Sequence, residues 1–351
     1  MTNQIRKERQ ANFELLRILA MFMVVALHYM LKGGIAIPMS KDGSAMNLLA
    51  WLLEAFCIVA VNVYVLISGY FLVEANWSLK KLVKLVLQIL FYALLVPIVC
   101  LVMGVGDVSS WSIYQWVSAI LPLQMEHYWF AAAYVLLYIG MPLFAAGVKA
   151  LSKKQLETLI CLYLVFYSFW KSLSPILLAT DHYGYDFGWF LCLFLVAAYI
   201  RLYGISWLNT KNKALICYIL SVVGVFAISA LAGFICRKTG KLEYFMDMPY
   251  CYNHILTLLG AIGLFVTFTY IKLPAGKLSR LVCKIAPYTF GVYLLHENIA
   301  IKLIWPTWFG VERVAGSLWF VPHMLVTVVI VFAVGILVDV VRNWLFQLLK
   351  L

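Results

Sequence analysis

The chain has 351 residues, of which 65% are hydrophobic and 12% charged, with a mean hydropathy of +0.94. Soluble globular chains are nearer half apolar and a quarter charged, so these figures exclude a soluble enzyme, a disordered chain and a disulfide scaffold. The long unbroken apolar blocks also exclude a β-barrel, whose strands alternate. The net charge of +12 is then a positive-inside bias rather than a nucleic-acid footprint.

A helix crosses the hydrocarbon core in about 20 apolar residues. Ten such segments are predicted in chain order: 13–31, 48–72, 82–104, 127–147, 157–180, 187–203, 214–235, 253–271, 286–304 and 319–341. They fill most of the chain and leave no room for a separate soluble domain, so residues 1–351 are expected to be one membrane domain. The first segment follows a basic leader, lacks a small-residue cleavage site and runs on to span length. It reads as an anchor, not a removed signal. With the N-terminus inside, the inner segments hold Arg6, Lys7 and Arg9, then Lys80, Lys81 and Lys84, then Lys149, Lys153 and Lys154, and later the run Lys272 to Lys284. The outer segments hold few cations. Together with an even number of crossings, this bias predicts that both termini are cytoplasmic. Outer loops are expected at 32–47, 105–126, 236–252 and 305–318. Trp111, Tyr114 and Trp116 make the second of these interfacial. The inner stretch 276–286 is amphipathic and basic, as expected of a segment lying on the membrane surface. Eight cysteines form no C-x-x-C, and no His, Asp and Glu set has metal-ligand spacing, so neither a redox motif nor a metal is expected.

Ionisable groups inside spans are costly, and each is a candidate for function. The first segment carries Glu14, Arg17 and His28. Arg17 and His28 are 11 residues apart, about 20° past three full turns, which places both on one face about 16 Å apart along the axis. Glu14, three residues before Arg17, is within reach of it. Arg17 can snorkel to headgroups while His28 caps a helix end. Alternatively, an arginine grips an anion and a histidine handles a proton farther along one channel. Lys80, Lys81 and Lys84 open the third segment. Lys81 and Lys84 lie one turn apart and suit a phosphate, although a generic positive-inside cluster has the same appearance. In the ninth segment His296 and Glu297 are adjacent. On a continuous helix they point about 100° apart and do not face one point. Glu54, Asn62 and Ser68, and the run Glu126-His127-Tyr128-Trp129, are further polar candidates. His182 is expected to be exposed, and His254 and His323 interfacial.

These motifs together resemble the acyltransferase-3 family of integral-membrane acyltransferases. The likeness rests on Arg17-x10-His28 in the first segment, VNVYVLISGYFL (61–72), Lys81-x-x-Lys84, HYWFAAAYVLLYIGMPLF (127–144), GWFLCLFLVAAYIRLY (188–203) and YTFGVYLLHENI (288–299). The arginine–histidine pair is the most specific of them. One departure is visible: the family's Arg-x-x-Arg is Lys-x-x-Lys here, which keeps the charge and loses the planar fork.

The resemblance implies an all-α polytopic fold and transfer of an acyl group, commonly acetyl, from cytoplasmic acyl-CoA to a hydroxyl of a cell-surface glycan or its precursor. It implies His28, Arg17 and Glu297 as catalytic, and Arg17, Lys80, Lys81 and Lys84 as the CoA entrance. Substrate contacts are implied at Ser68, Trp129, Tyr134 and His296. His28 serves as general base or as a covalent acyl relay. Many relatives carry a fused SGNH-type domain; this chain ends at Leu351, so transfer is expected to be unaided or to use a separate extracytoplasmic transferase. The expected setting is the bilayer of a plasma (inner) membrane, with no nucleic-acid partner. The rival class is a secondary transporter or lipid-linked glycan flippase. Against it, the two halves of the chain differ, and the basic groups gather at one mouth.

Overall fold

A computed structural model describes residues 10–125, 127–176 and 179–350. Arg6, Lys7, Arg9 and Glu126 lie outside the described residues. Those described are helical and contain no strand. In chain order, α1 (Ala11–Lys32) is followed by α2 (Ala45–Cys57) and α3 (Ala60–Leu72), one path with a short break at Ile58 and Val59. Next come α4 (Leu79–Met103), the short α5 (Ile113–Ile120) and α6 (Trp129–Ala150). α7 (Lys153–Leu164) continues through a π-turn, Val165–Phe169, into α8 (Trp170–Leu173). The rest are α9 (Phe187–Tyr203), α10 (Lys211–Thr239), α11 (Glu243–Asp247), α12 (Ile255–Thr269), α13 (Lys277–Ile285), α14 (Thr289–His296), α15 (Trp305–Trp308) and α16 (Phe320–Leu348).

Local chemistry sets many of these ends. Ser44, Ser152, Asp186 and Thr210 accept from backbone N–H groups of the first turns of α2, α7, α9 and α10, as N-caps do. Gly104 and Gly240 take left-handed conformations after α4 and α10, where a Cβ would be strained.

Among the described residues, eight stretches are long and apolar enough to cross a membrane: Ala11–Lys32, Ala45–Leu72, Leu79–Met103, Trp129–Ala150, Lys153–Leu173, Lys211–Thr239, Glu243–Thr269 and Phe320–Leu348. The chain is thus a multi-pass membrane protein. Two of the ten segments expected from sequence take other forms. The 17-residue α9 rises only about 25 Å, and it is buried along most of its length, including Trp189, Phe190, Phe194 and Ala197. Segment 286–304 is an eight-residue helix, α14, followed by turns.

The layering follows from which residues face lipid. α4, α10 and α16 expose Ile98, Val102, Leu220, Leu231, Leu325 and Val329, the apolar surface a bilayer covers. α1, α3, α9, α12 and α14 lie inside. Small residues let the inner helices approach their neighbours, as in other membrane bundles. A Cβ on Gly335 would lie 2.8 Å from the Val292 backbone, and one on Gly291 would lie 2.4 Å from Asp339. These two glycines let α14 pack closely against α16.

Candidate active site

α14 ends where its polar groups find partners outside the helix. Asn298 is fully buried; its Nδ2 donates to Tyr92 O at 3.0 Å and to Tyr128 Oη at 2.9 Å, and its Oδ1 accepts from Ala300 N at 3.0 Å. Asparagine side chains compete with helix hydrogen bonds in this way. Tyr128 Oη donates to the Leu294 carbonyl at 2.6 Å, and His127 Nε2 accepts from Ile299 N at 3.2 Å. The broken backbone is thereby satisfied inside the bundle, which is the condition for irregular structure at membrane depth.

The break changes what His296 and Glu297 can do. On a continuous helix they would diverge. Here Glu297 is the first non-helical residue, and both side chains meet His28 on α1. His28 Nδ1 lies 2.8 Å from His296 Nε2 and 3.1 Å from Glu297 Oε1. The expectation that the pair could not face one point is therefore corrected, because the helix stops between them.

The hydrogen bonds also fix tautomers. His296 Nδ1 lies 2.6 Å from the Val292 carbonyl, which can only accept, so the proton of His296 sits on Nδ1. Its Nε2 is then an acceptor for His28, and the Glu297 carboxylate accepts from the same side. The proton of His28 accordingly sits on Nδ1, and its Nε2 keeps a lone pair. Lys32, one turn beyond His28, is ion-paired with Glu297 Oε1.

Three cavities run from this cluster to the opposite end of α1. The first, about 290 Å³, holds His28, Lys32, Glu54, Trp129, Tyr185, Tyr252, Glu297 and Lys302 on its walls. The second, about 300 Å³, is lined by Arg17, Ser68, Gln88 and Tyr134. Tyr64, Phe130 and Phe290 belong to both, so these rings form the waist between them. The Tyr64 hydroxyl is bonded to Thr289 Oγ1. The third, about 570 Å³, is lined by Lys81, Lys84, Tyr288 and Arg342, and shares Leu85, Gln88 and Pro287 with the second.

Arg17 Nη1 bonds Glu14 Oε2 at 2.6 Å, the contact that their spacing suggests. At the wide mouth, Arg342 is held by Asp339 at 2.9 Å and 2.7 Å. Asp339 also accepts from Gln88 and Tyr92, each at 3.0 Å. Lys81 and Lys84 form no ion pair among the described residues, so they supply the net positive charge there.

The structure therefore places Arg17, Lys81, Lys84, Ser68, Tyr134, Trp129, His28 and Glu297 along one passage. Lys80 is exposed and lines none of the three cavities. His296 lies behind His28, 2% exposed, and not on the cavity wall. Ser68 Oγ donates to the Tyr64 carbonyl at 3.0 Å. Sequence reasoning missed Lys32, Lys302 and the Tyr64–Phe130–Phe290 waist. For Lys32 a signal was present: it lies one turn past His28 on the same face.

His28, His296 and Glu297 bring ligand atoms within 4.8 Å of one another, which corrects the expectation that no such cluster exists. His28 lies on α1 and the adjacent His296 and Glu297 at the end of α14, far apart in sequence, so local spacing does not reveal the set. Within this set Lys32 is ion-paired with Glu297, and the two imidazoles face each other.

Residues 10–340 match the acyltransferase-3 family, described as an acyltransferase domain, and the chain belongs to that family. It is thus an acyltransferase, embedded in a bilayer and acting on an acceptor. No curated protein and no solved structure matches it.

Proposed function

We propose that the protein is a membrane O-acyltransferase. It moves an acyl group, acetyl in the first instance, from cytoplasmic acyl-CoA to a hydroxyl of a cell-surface glycan or its precursor. The observation that carries this reading is the passage itself: three cavities with shared walls lead from a cation-lined mouth to a histidine whose Nε2 has no partner among the described residues. The anionic nucleotide end of CoA suits Lys81 and Lys84, and the slender arm suits the Arg17 chamber and the waist. The thioester then lies beside His28. Counting α9 and the α14 segment as crossings gives ten, with both termini cytoplasmic in a plasma (inner) membrane. A separate extracytoplasmic transferase remains a proposed partner for passing the product on.

In the reaction, His28 Nε2 takes the proton of the acceptor hydroxyl as its oxygen attacks the thioester carbon. The C–S bond breaks, the ester forms, and the imidazolium returns the proton to the departing thiolate. Glu297 and His296 hold the imidazole in the required tautomer and balance its transient charge. The Lys32 ammonium fixes Glu297 in turn.

The test is thiol release from acyl-CoA by the purified protein in nanodiscs, with a panel of sugar acceptors. The expected result is release by the parent, lost in His28→Ala. If no acyl-CoA binds or turns over and the parent instead moves a solute across liposomes, the passage is a transport route and this reading fails.

A further inference from the structure

One carboxyl in the His28 chamber takes no part in that chemistry. Glu54, on α2, is 1% exposed and lines the chamber, and its Oε2 has no hydrogen-bond partner among the described residues. A buried polar atom without a partner is costly, and in a binding chamber the missing partner is a group that the ligand brings. The wall nearby is aromatic. Trp129 lies 5.7 Å from Tyr252 with planes 24° apart, and Tyr185 lies 4.5 Å from Trp129 and 4.7 Å from Tyr252. Tyr252 is buried while Tyr185 is half exposed, so this wall leads from the surface to the chamber. Aromatic faces with a few placed polar groups are the makeup of a small-molecule site.

The lining groups separate two kinds of ligand. Lys32 is already ion-paired with Glu297. A hydroxyl pair satisfies the Glu54 carboxyl in either protonation state, as donor or acceptor, whereas an ammonium requires it ionised in a low-dielectric site.

We propose that Glu54, with Trp129 and Tyr252, forms the acceptor subsite, which holds an uncharged polyhydroxylated ring. Glu54 accepts from ring hydroxyls, Trp129 and Tyr252 pack on the ring face, and a remaining hydroxyl is turned toward His28 Nε2. The chamber's size limits the enclosed part of the acceptor to about one sugar ring. This inference rests on the acyl-transfer reading and adds which residues choose the hydroxyl.

The experiment uses the full chain in nanodiscs with acetyl-CoA and three probes: methyl glucopyranoside, methyl galactopyranoside and the 2-amino-2-deoxy analogue of the first. Glu54→Gln keeps the shape and weakens acceptance. It is expected to raise the KM for a neutral glycoside about tenfold, or to change which hydroxyl is acetylated, while the acetyl-CoA KM moves less than about twofold. Trp129→Leu is expected to act in the same direction and decides the matter if Glu54→Gln does not fold. An unchanged acceptor KM and product in either folded variant overturns the subsite. So does a parent preference for the amino sugar that Glu54→Gln abolishes, because Glu54 then reads an ammonium. If the parent releases thiol but acetylates none of the glycosides, the polyol assignment falls alone. If it releases no thiol at all, the acyl-transfer reading falls with it.

Discussion

In the proposed mechanism His28 and Arg17 divide the work between the two ends of one helix face, and their substitutions are expected to fail differently. Removing the imidazole in His28→Ala deletes the base and should lower kcat by about 10²–10⁴-fold, measured as thiol release at saturating acyl-CoA. Arg17→Ala is expected to raise the acyl-CoA KM and to leave kcat less affected. Arg17→Lys recovers only part of the loss, since an ammonium lacks the fork. Glu297→Gln tests the tautomer argument. The amide no longer carries the charge that Lys32 and His28 face. The expected result is a kcat about 10–100-fold lower, as for other groups that orient a reacting histidine, with little change in acyl-CoA KM. An unchanged kcat would mean that Glu297 does not hold His28 in its working form.

At the scale of elements, two irregular pieces position the site, and both depend on buried polar contacts. The end of α14 depends on Asn298. Asn298→Leu removes the bonds to Tyr92 O and Tyr128 Oη and leaves Ala300 N without its acceptor, at a cost of about 1–3 kcal/mol. Thermal unfolding in detergent should show the loss, and activity should fall with it as Glu297 drifts. The loop before α9 depends on the Lys171–Asp181 ion pair, both side chains nearly inaccessible, with Asn253 Nδ2 on Asp181 at 2.8 Å. Asp181→Asn leaves Lys171 buried without a counter-charge and should destabilise by about 3–5 kcal/mol. The double change Lys171→Met with Asp181→Leu should recover much of that. These pieces mark the limit of what the sequence reveals. Arg17 and His28 on one stripe follow from helical period alone, and the apolar blocks locate eight spans. The meeting of His28 with His296 and Glu297 does not follow, since it needs a helix end set by Asn298 and by partners on α4 and just before α6. Glu54 was visible as a charge in an apolar run, but its empty side appears only once the aromatic wall is assembled around it.

For the whole molecule, the proposed orientation puts the Lys81 and Lys84 mouth in the cytoplasm and the Tyr185 opening outside. Reporter domains fused to either terminus should be active only when cytoplasmic; activity of a periplasm-dependent reporter at one end would require an odd number of crossings. A passage that joins both faces of a bilayer also raises a matter apart from catalysis, namely leakage. In the proposed plasma-membrane setting the bilayer also stores the cell's proton gradient, and a continuous column of water through the protein would discharge it. Tyr64, Phe130 and Phe290 line both the Arg17 and the His28 chambers, and the proposed passage assigns them the part of an insulator that yields to a slender thioester arm and not to ions. Proteoliposomes holding the parent should keep a pH difference about as long as empty vesicles. Phe130→Ala combined with Phe290→Ala should collapse it, and acyl-CoA, by plugging the widened neck, should slow that collapse.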